Sequence, residues 1–457
     1  MFLFDAFVVF VCVCIGLLTL FASLSIIFAC GLILFCFMAI AISEIKFGNR
    51  FFLVSPLFIF SFGVFFGFVL LPLILISGLR MFAETNAIGH FVNWNYRPEI
   101  LEYFFSTAQR YVLALSIFGL ALYKVLHNTP KPVFLVTEKV TTLVSEKQIF
   151  VFSLTFSIVN FGFQYFSMFP QSLVGLSKTI FCPVQCCLAL LLLYKYLTGR
   201  TKDWLSVLII FSSTIFVMIV QHEGKIPAFL LLAGLLGILY VKKFRLRSLI
   251  TGGLVLSVFA FVGIHIVQTI RYPQEATDGA KVNHGTAAET FFYKVLWRQV
   301  ETGYCLNNVI KLNKTVKFEL SKQGFYFEIL VPRILWPEKP NFSLGGEYKT
   351  QFCGMPKGGK HSASITILGQ PVIKGGMTGM FFHGAALLLL LGGLGIASRY
   401  AGAPGLVTIL SLLPWWVDFD QDFAMYVGNL VKVSIVIIPI VMISFVVKRN
   451  SKRIKAG

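Results

Sequence analysis

Along most of the chain, apolar residues run for about 20 positions, give way to a short polar stretch, and resume. That run length is what an α-helix needs to cross a bilayer. On this pattern the predicted spans are 4–21, 23–43, 52–78, 108–126, 149–168, 179–197, 203–221, 226–241, 248–269, 379–398, 403–417 and 426–447. The first two form one apolar stretch, broken only at Ala22-Ser23 and Ala29-Cys30-Gly31. The runs are rich in Phe and Leu and lack alternation of period two, which argues against a transmembrane β-barrel. The pattern is interrupted once at length, by a polar segment over residues 271–378. The expectation is an all-α polytopic integral membrane protein of about twelve transmembrane helices. It would be a single membrane domain over 1–457, with one large outward-facing loop at 271–378 between spans nine and ten.

The polar stretches alternate in charge. One set holds Lys46 and Arg50, then Lys124, Lys131, Lys139 and Lys147, then Lys195, Arg200 and Lys202, then Lys242, Lys243, Arg245 and Arg247, then Arg399, and a basic tail from Lys448. The intervening short loops are poorer: 169–177 has no Lys or Arg, 222–225 has one Lys, and 418–425 is acidic. Short cytoplasmic loops collect Lys and Arg, so both termini are expected in the cytoplasm and 271–378 outside.

Composition agrees with this reading. Of 457 residues, 57% are hydrophobic and 13% charged, with a mean hydropathy of +0.81. A water-soluble fold cannot hide that much apolar surface. The formal charge of +19 lies largely beside apolar runs and acts as a topology signal, and no nucleic-acid motif accompanies it. The polar segment is a separate matter. Its 14 Lys and Arg against 8 Asp and Glu over 271–377 leave +6, which calls for an anionic partner or for water. Seven of the nine Cys fall in apolar runs and read as small buried residues. Cys305 and Cys353 lie in the polar segment and can pair in an oxidising compartment. The N-terminus has no basic n-region or cleavage site, so it reads as a first span.

Candidate chemistry concentrates on the outward side. In 289–305, Lys294, Arg298, Glu301 and Cys305 share one helical face and Phe292, Leu296 and Val300 the opposite one. This helix is expected either to lie on the membrane surface or to pack over the bundle with a solvated polar face. Arg271, Arg298 and Arg333 are candidate diphosphate ligands, because guanidinium forks bind phosphate in parallel pairs and stay charged. Arg333 is bounded by Pro332, Pro337 and Pro340, which restrict its backbone. Lys225, in the turn His222-Glu223-Gly224-Lys225, is either a helix-end pair for Glu223 or an anion ligand. His361 follows Gly358-Gly359 in a loop that can present backbone N–H groups. Asp418, Asp420 and Asp422 are expected in a solvated outer turn, and resemble a cation site only by count. No metal site, nucleotide loop or cofactor fingerprint is present.

The run Pro332-Arg333-x-x-Trp336-Pro337-x-Lys339-Pro340, followed by Gly345-Gly346, Gly369-Gln370 and Gly375-Gly376-x-x-Gly379, resembles the O-antigen polymerase family, the Wzy-type oligosaccharide repeat-unit polymerases. The motif region covers roughly 50 residues; the rest of the resemblance is layout, many spans and one large late outer loop. The chain departs from that pattern in places. His222-Glu223-Gly224-Lys225 stands where relatives often have Ser-Arg-Gly. Gln370 stands where they have Glu, and Lys374-Gly375-Gly376 where they have Asn-Phe-Gly. Arg333 and Gly345 are separated by eleven residues rather than ten.

The resemblance implies a GT-C-like bundle in the bacterial inner (plasma) membrane. It implies glycosyl transfer between two undecaprenyl-diphosphate-linked oligosaccharides on the outer leaflet, with no nucleotide sugar and no cofactor. Arg271, Arg298, Arg333, Lys225 and Lys339 would hold the diphosphate. Arg333, Arg298, Glu301 and His361 would act in catalysis, with Glu301, His361 and Glu223 as candidate bases. A chain-length regulator and a flippase are the further expected partners, beside the bilayer. The alternatives are an O-antigen ligase acting on lipid A core, a lipid-linked oligosaccharide flippase, and a membrane-bound acyltransferase supported only by His265. A flippase would favour two similar halves and charges along its spans, and the sequence shows no internal repeat and few intramembrane charges.

Overall fold

A computed structural model describes residues 2–21, 25–74, 106–127, 140–142, 144–165, 177–220, 225–242, 250–254, 298–313, 344–354 and 363–447, with single positions at 258, 328, 331, 336 and 338. The architecture is all-helical and multi-pass. Six helices among these residues are long and apolar enough to cross a membrane, and four shorter apolar helices accompany them.

In chain order the elements are α1 (Phe2–Phe21), α2 (Ile26–Lys46), α3 (Pro56–Phe65) running into a π-turn (Phe66–Leu70), α4 (Thr107–His127), β1 (Val140–Thr142), α5 (Glu146–Tyr165), α6 (Cys182–Leu197), α7 (Trp204–Val220) and α8 (Lys225–Val241). Then follow α9 (Arg298–Leu312), the short α10 (Gly345–Gln351), α11 (Thr366–Ala401), α12 (Ala403–Trp416), α13 (Phe423–Ser444) and β2 (Phe445–Val447). The predicted span at 248–269 falls mostly outside the described residues. The predicted span at 426–447 closes early, because β2 pairs antiparallel with β1 in a two-stranded ribbon, Val140 opposite Val447.

The chain forms two compact units. The first comprises 1–129, 285–393 and 416–428, and the second 130–284, 394–415 and 429–457. Boundaries fall inside α11, before the last residue of α12, and inside α13.

In the first unit α4 is the central post, and α1, α2, α3 and α9 all pack on it. The α3–α4 seam is close because Gly119 has no side chain: a Cβ there would overlap the Ser61 hydroxyl. Ser116 Oγ donates to Ser61 O at 2.7 Å. Small residues and hydroxyls are what hold helices together where lipid removes the hydrophobic drive between them. A buried ion cluster ties three helix ends. Lys124 Nζ lies 2.6 Å from Glu44 Oε1 and 3.1 Å from Asp5 Oδ1, and Asn49 Nδ2 donates to the other Glu44 oxygen. The start of α1 and the ends of α2 and α4 therefore lie at one level, as alternating spans require. The sequence pattern does not show this cluster, because its three charges come from separate runs and meet only by packing.

The second unit packs α5, α6, α7 and α8 together. A buried amide chain joins three of them. Asn160 Nδ2 donates to Gln185 Oε1 at 3.0 Å, Gln185 Nε2 donates to Ser157 Oγ at 2.8 Å, and Ser157 meets Ser213 at 3.5 Å.

Candidate functional site

Among the described residues, a polar contact network lies in the first unit, where α9, α10, the start of α11 and the α12–α13 turn meet. Its centre is Asp420. Thr302 Oγ1 donates to Asp420 Oδ1 at 3.3 Å. Arg298 Nε lies 3.3 Å from Asp420 Oδ2, with the Asp420 side chain 6% exposed and that of Arg298 44% exposed. Arg298 and Thr302 are one helical turn apart, so both reach the same carboxylate. The carboxylate is thus inside the protein and the cation it holds is at the surface.

The remaining faces of α9 are also fixed. Cys305 is disulfide-bonded to Cys353, with their Cα atoms 4.8 Å apart, and Asn308 Nδ2 donates to Phe352 O at 2.8 Å. Asn313, just past the helix, donates from Nδ2 to Val372 O at 2.9 Å. The helix expected around 289–305 is described from Arg298 to Leu312 and packs on α4, with Arg298 exposed and Glu301 half-buried on its polar face. Cys305 and Thr302 are buried against the unit.

The start of α11 is tied to the same place. Ser364 Oγ donates to Asp420 O, and Ile367 N donates to Phe419 O at 3.3 Å. Thr366 lies between them with φ +62°, a left-handed conformation that a β-branched residue adopts only when its surroundings hold it there. The tethers on both sides supply that restraint. Gln370 Oε1 accepts from Ala424 N at 2.9 Å, closing the link between α11 and α13.

α11 begins at Thr366, thirteen residues before the predicted span at 379, and is broken at Gly375 (φ −138°, ψ 17°) and Gly376 (φ 60°, ψ −153°). Only glycine takes the Gly376 conformation without strain. Pro371 in the first piece and the two glycines read in sequence as loop, which concealed the helix. Gly379 is needed for a second reason: a Cβ there would stand 2.5 Å from Pro371 O. The Gly375-Gly376-x-x-Gly379 pattern therefore has a local structural cause.

The three aspartates of the α12–α13 turn are not a solvated outer turn. Asp418 and Asp420 are buried, and each of the three has its own partner. Asp418 Oδ2 accepts from Gln421 Nε2 at 2.7 Å, Asp420 is held by α9, and Asp422 Oδ1 accepts from Met425 N at 2.9 Å as the cap of α13. Desolvation raises the Asp422 carboxyl to about 6, against the opposing pull of the Met425 N–H and of the Lys374 ammonium. Among the described residues no group of three or more His, Cys, Asp or Glu is placed to hold a metal ion.

Of the residues singled out from sequence, Arg298 stands at this centre, and Glu301 lies one turn along the same helix, half-buried. Lys225 opens α8 in the second unit. Arg271, Glu223, Arg333, Lys339 and His361 lie outside the described residues. Sequence reading missed Thr302 and Asn313, gave Ser364 and Lys374 no contact here, and placed Asp418, Asp420 and Asp422 in solvent. The one available signal was three alternating acidic residues between two apolar runs, a pattern that reads equally as a solvated turn.

No family model matches the chain, and no curated protein or solved structure matches it.

Proposed function

We propose that this protein polymerises undecaprenyl-diphosphate-linked oligosaccharide repeat units on the outer leaflet of a bacterial inner membrane by glycosyl transfer. The observation that carries the reading is the Arg298–Asp420 pair. A buried carboxylate holds Nε of a guanidinium whose other end is at the surface, in the polar segment that also contains Arg333 and Lys339. A guanidinium anchored in this way is preorganised for a diphosphate oxygen.

In the proposed reaction the bond between the donor's anomeric carbon and its diphosphate oxygen breaks. The acceptor's hydroxyl oxygen forms the new glycosidic bond, and its proton passes to a base or to water. Undecaprenyl diphosphate leaves. Negative charge grows on the departing oxygen, so fixed cations stabilise the transition state more than the ground state. Arg298, Arg333 and Lys339 are assigned to that charge. Glu301 and His361 are assigned as candidate bases.

The disulfide supports an outward position for α9 and α10, because such bonds persist in oxidising compartments. The level set by Asp5, Glu44 and Lys124 supports the order of the first crossings. Twelve spans, a GT-C-like bundle and cytoplasmic termini belong to this proposal, resting on the apolar pattern and the alternation of loop charge.

A second reading, a flippase for the same lipid-linked glycan, is favoured by two observations. A span broken at Gly375–Gly376 and a buried charge cluster at Lys124 are features of membrane transporters.

A deletion strain separates the readings by the size of its surface glycan. Loss of a polymerase leaves single repeat units, and loss of a flippase leaves no glycan outside. Loss of a ligase leaves polymer on its lipid carrier. The proposal requires the first outcome.

A further inference from the structure

Three pairs, the first from the short 3-10 turn Phe51–Leu53 just before α3, fix how α3 and α4 run. Phe51 stacks on His127, the Phe58 ring lies 5.5 Å from Tyr123, and Ser116 bonds to Ser61. Position rises along one helix as it falls along the other, so they are antiparallel. Carrying that register on from Ser61 and Ser116 sets Gln109, in the first turn of α4, level with the π-turn of α3. α9 packs against both this π-turn and α4. The Phe68 ring of the π-turn lies 4.5 Å from Phe419, and the next residue, Asp420, is the one that holds Arg298 and Thr302. Turns of π-helix inside α-helices are frequent at functional sites.

Buried amide atoms on α4 and on α9, the helix that packs against it, have no hydrogen-bond partner among the described residues. Gln109 is fully buried, and neither its Oε1 nor its Nε2 has a hydrogen-bond partner among the described residues. The same holds for Gln299 Oε1, in the first turn of α9, and for Asn307 Nδ2, two turns further on and 2% exposed. A buried amide without a partner is costly, and most costly where lipid keeps water away. Such groups are retained where something else satisfies them.

We propose that the seam of α4, the π-turn and α9 is a sugar-binding subsite, in which Gln109, Gln299 and Asn307 hydrogen-bond hydroxyls of the acceptor repeat unit. The inference rests on the glycosyl-transfer reading for the identity of the sugar, but not for the chemistry of the site. Gln109 offers donors and an acceptor, Gln299 an acceptor and Asn307 a donor. None of the three carries charge. A phosphate only accepts and an ammonium only donates, whereas each hydroxyl of a sugar ring does both. A neutral site of mixed donors and acceptors therefore fits the glycan and not the diphosphate. Its position beside Asp420 puts it next to Arg298, where an acceptor must reach the donor's anomeric carbon.

The test uses the full chain in lipid nanodiscs. The probe is the delipidated repeat-unit oligosaccharide, released by mild acid from a strain lacking this protein, and binding is followed by saturation-transfer NMR. The wild type should bind, and Gln109→Met and Asn307→Leu should each weaken Kd at least tenfold. Their thermal midpoints should be no lower than the wild type's, since each removes an unsatisfied group. Unchanged binding in both variants, or no binding by the wild type, overturns the subsite. Lowered midpoints with unchanged binding identify buried water as the only occupant. A wild type that binds the oligosaccharide but does not lengthen undecaprenyl-diphosphate-linked repeat units supplied as donor leaves the subsite standing and removes the polymerase reading.

Discussion

Arg298 Nε and Asp420 Oδ2 lie 3.3 Å apart and join the first turn of α9 to the α12–α13 turn. Since the carboxylate is buried and the guanidinium half exposed, the two ends of the pair respond differently to substitution. Removing Arg298 leaves a buried charge, while removing Asp420 frees a surface cation to move. Arg298→Ala should reduce polymer formation by on the order of 10²–10³, the effect of losing one contact made to a developing charge. Asp420→Ala should cost about 1–3 kcal/mol in stability, because Thr302 also loses its acceptor. A double-mutant cycle on thermal unfolding should give a coupling of about 0.5–3 kcal/mol between them. Additive effects would show that the pair is not a working contact.

The Cys305–Cys353 bond closes a chain segment of 48 residues. Replacing both cysteines by serine should lower stability by about 2–4 kcal/mol. A maleimide-polyethylene-glycol reagent should label neither residue in the wild type until the protein is reduced. Labelling without reduction would show two free thiols.

Asp422 gives the protein a pH response of definite sign. Its carboxyl rises from 3.8 unfolded to about 6 folded, chiefly by desolvation. Between those pH values the folded state holds a proton that the unfolded chain has released, so stability falls as pH rises through that window. The full cost above pH 6 is at most about 3 kcal/mol. Asp422→Asn keeps an oxygen to cap α13 and removes the titration. Its thermal midpoint should match the wild type near pH 4 and exceed it at pH 7. Parallel curves from pH 4 to pH 7 would contradict the shift.

The spans were legible because bilayer thickness writes itself as run length, and α1 to α4 and α6 to α8 lie close to their predicted positions. The predicted span at 379–398 matches the piece of α11 after the break at Gly375–Gly376; the piece before it, from Thr366, was not read because Pro371, Lys374, Gly375 and Gly376 look like loop. Arg298 could be singled out as a cation on a polar helical face. Its partner could not, since the pairing with Asp420 is made by tertiary packing and not by spacing. The same holds for the disulfide: sequence offered two cysteines in a polar segment, while their separation depends on how α9 and α10 dock. Lys124, Asp5 and Glu44 were hidden in the same way.

That buried cluster predicts an asymmetry. Lys124→Met leaves Asp5 and Glu44 with no cation between them and should cost about 3–5 kcal/mol, seen as loss of folded protein in detergent. Asp5→Asn leaves a one-to-one pair of Lys124 with Glu44 and should cost far less. Equal losses from the two variants would contradict the contacts that define the cluster.

The most direct measurement reconstitutes the purified protein in liposomes with undecaprenyl-diphosphate-linked repeat units and no nucleotide sugar, and follows glycan length. Lengthening by whole repeat units is predicted, with one undecaprenyl diphosphate released per linkage. It should be reduced on the order of 10²–10³ in Arg333→Lys, which keeps the charge and loses the fork. A wild-type protein that leaves the glycan at one repeat, or that transfers it only to added lipid A core, would contradict the polymerase reading.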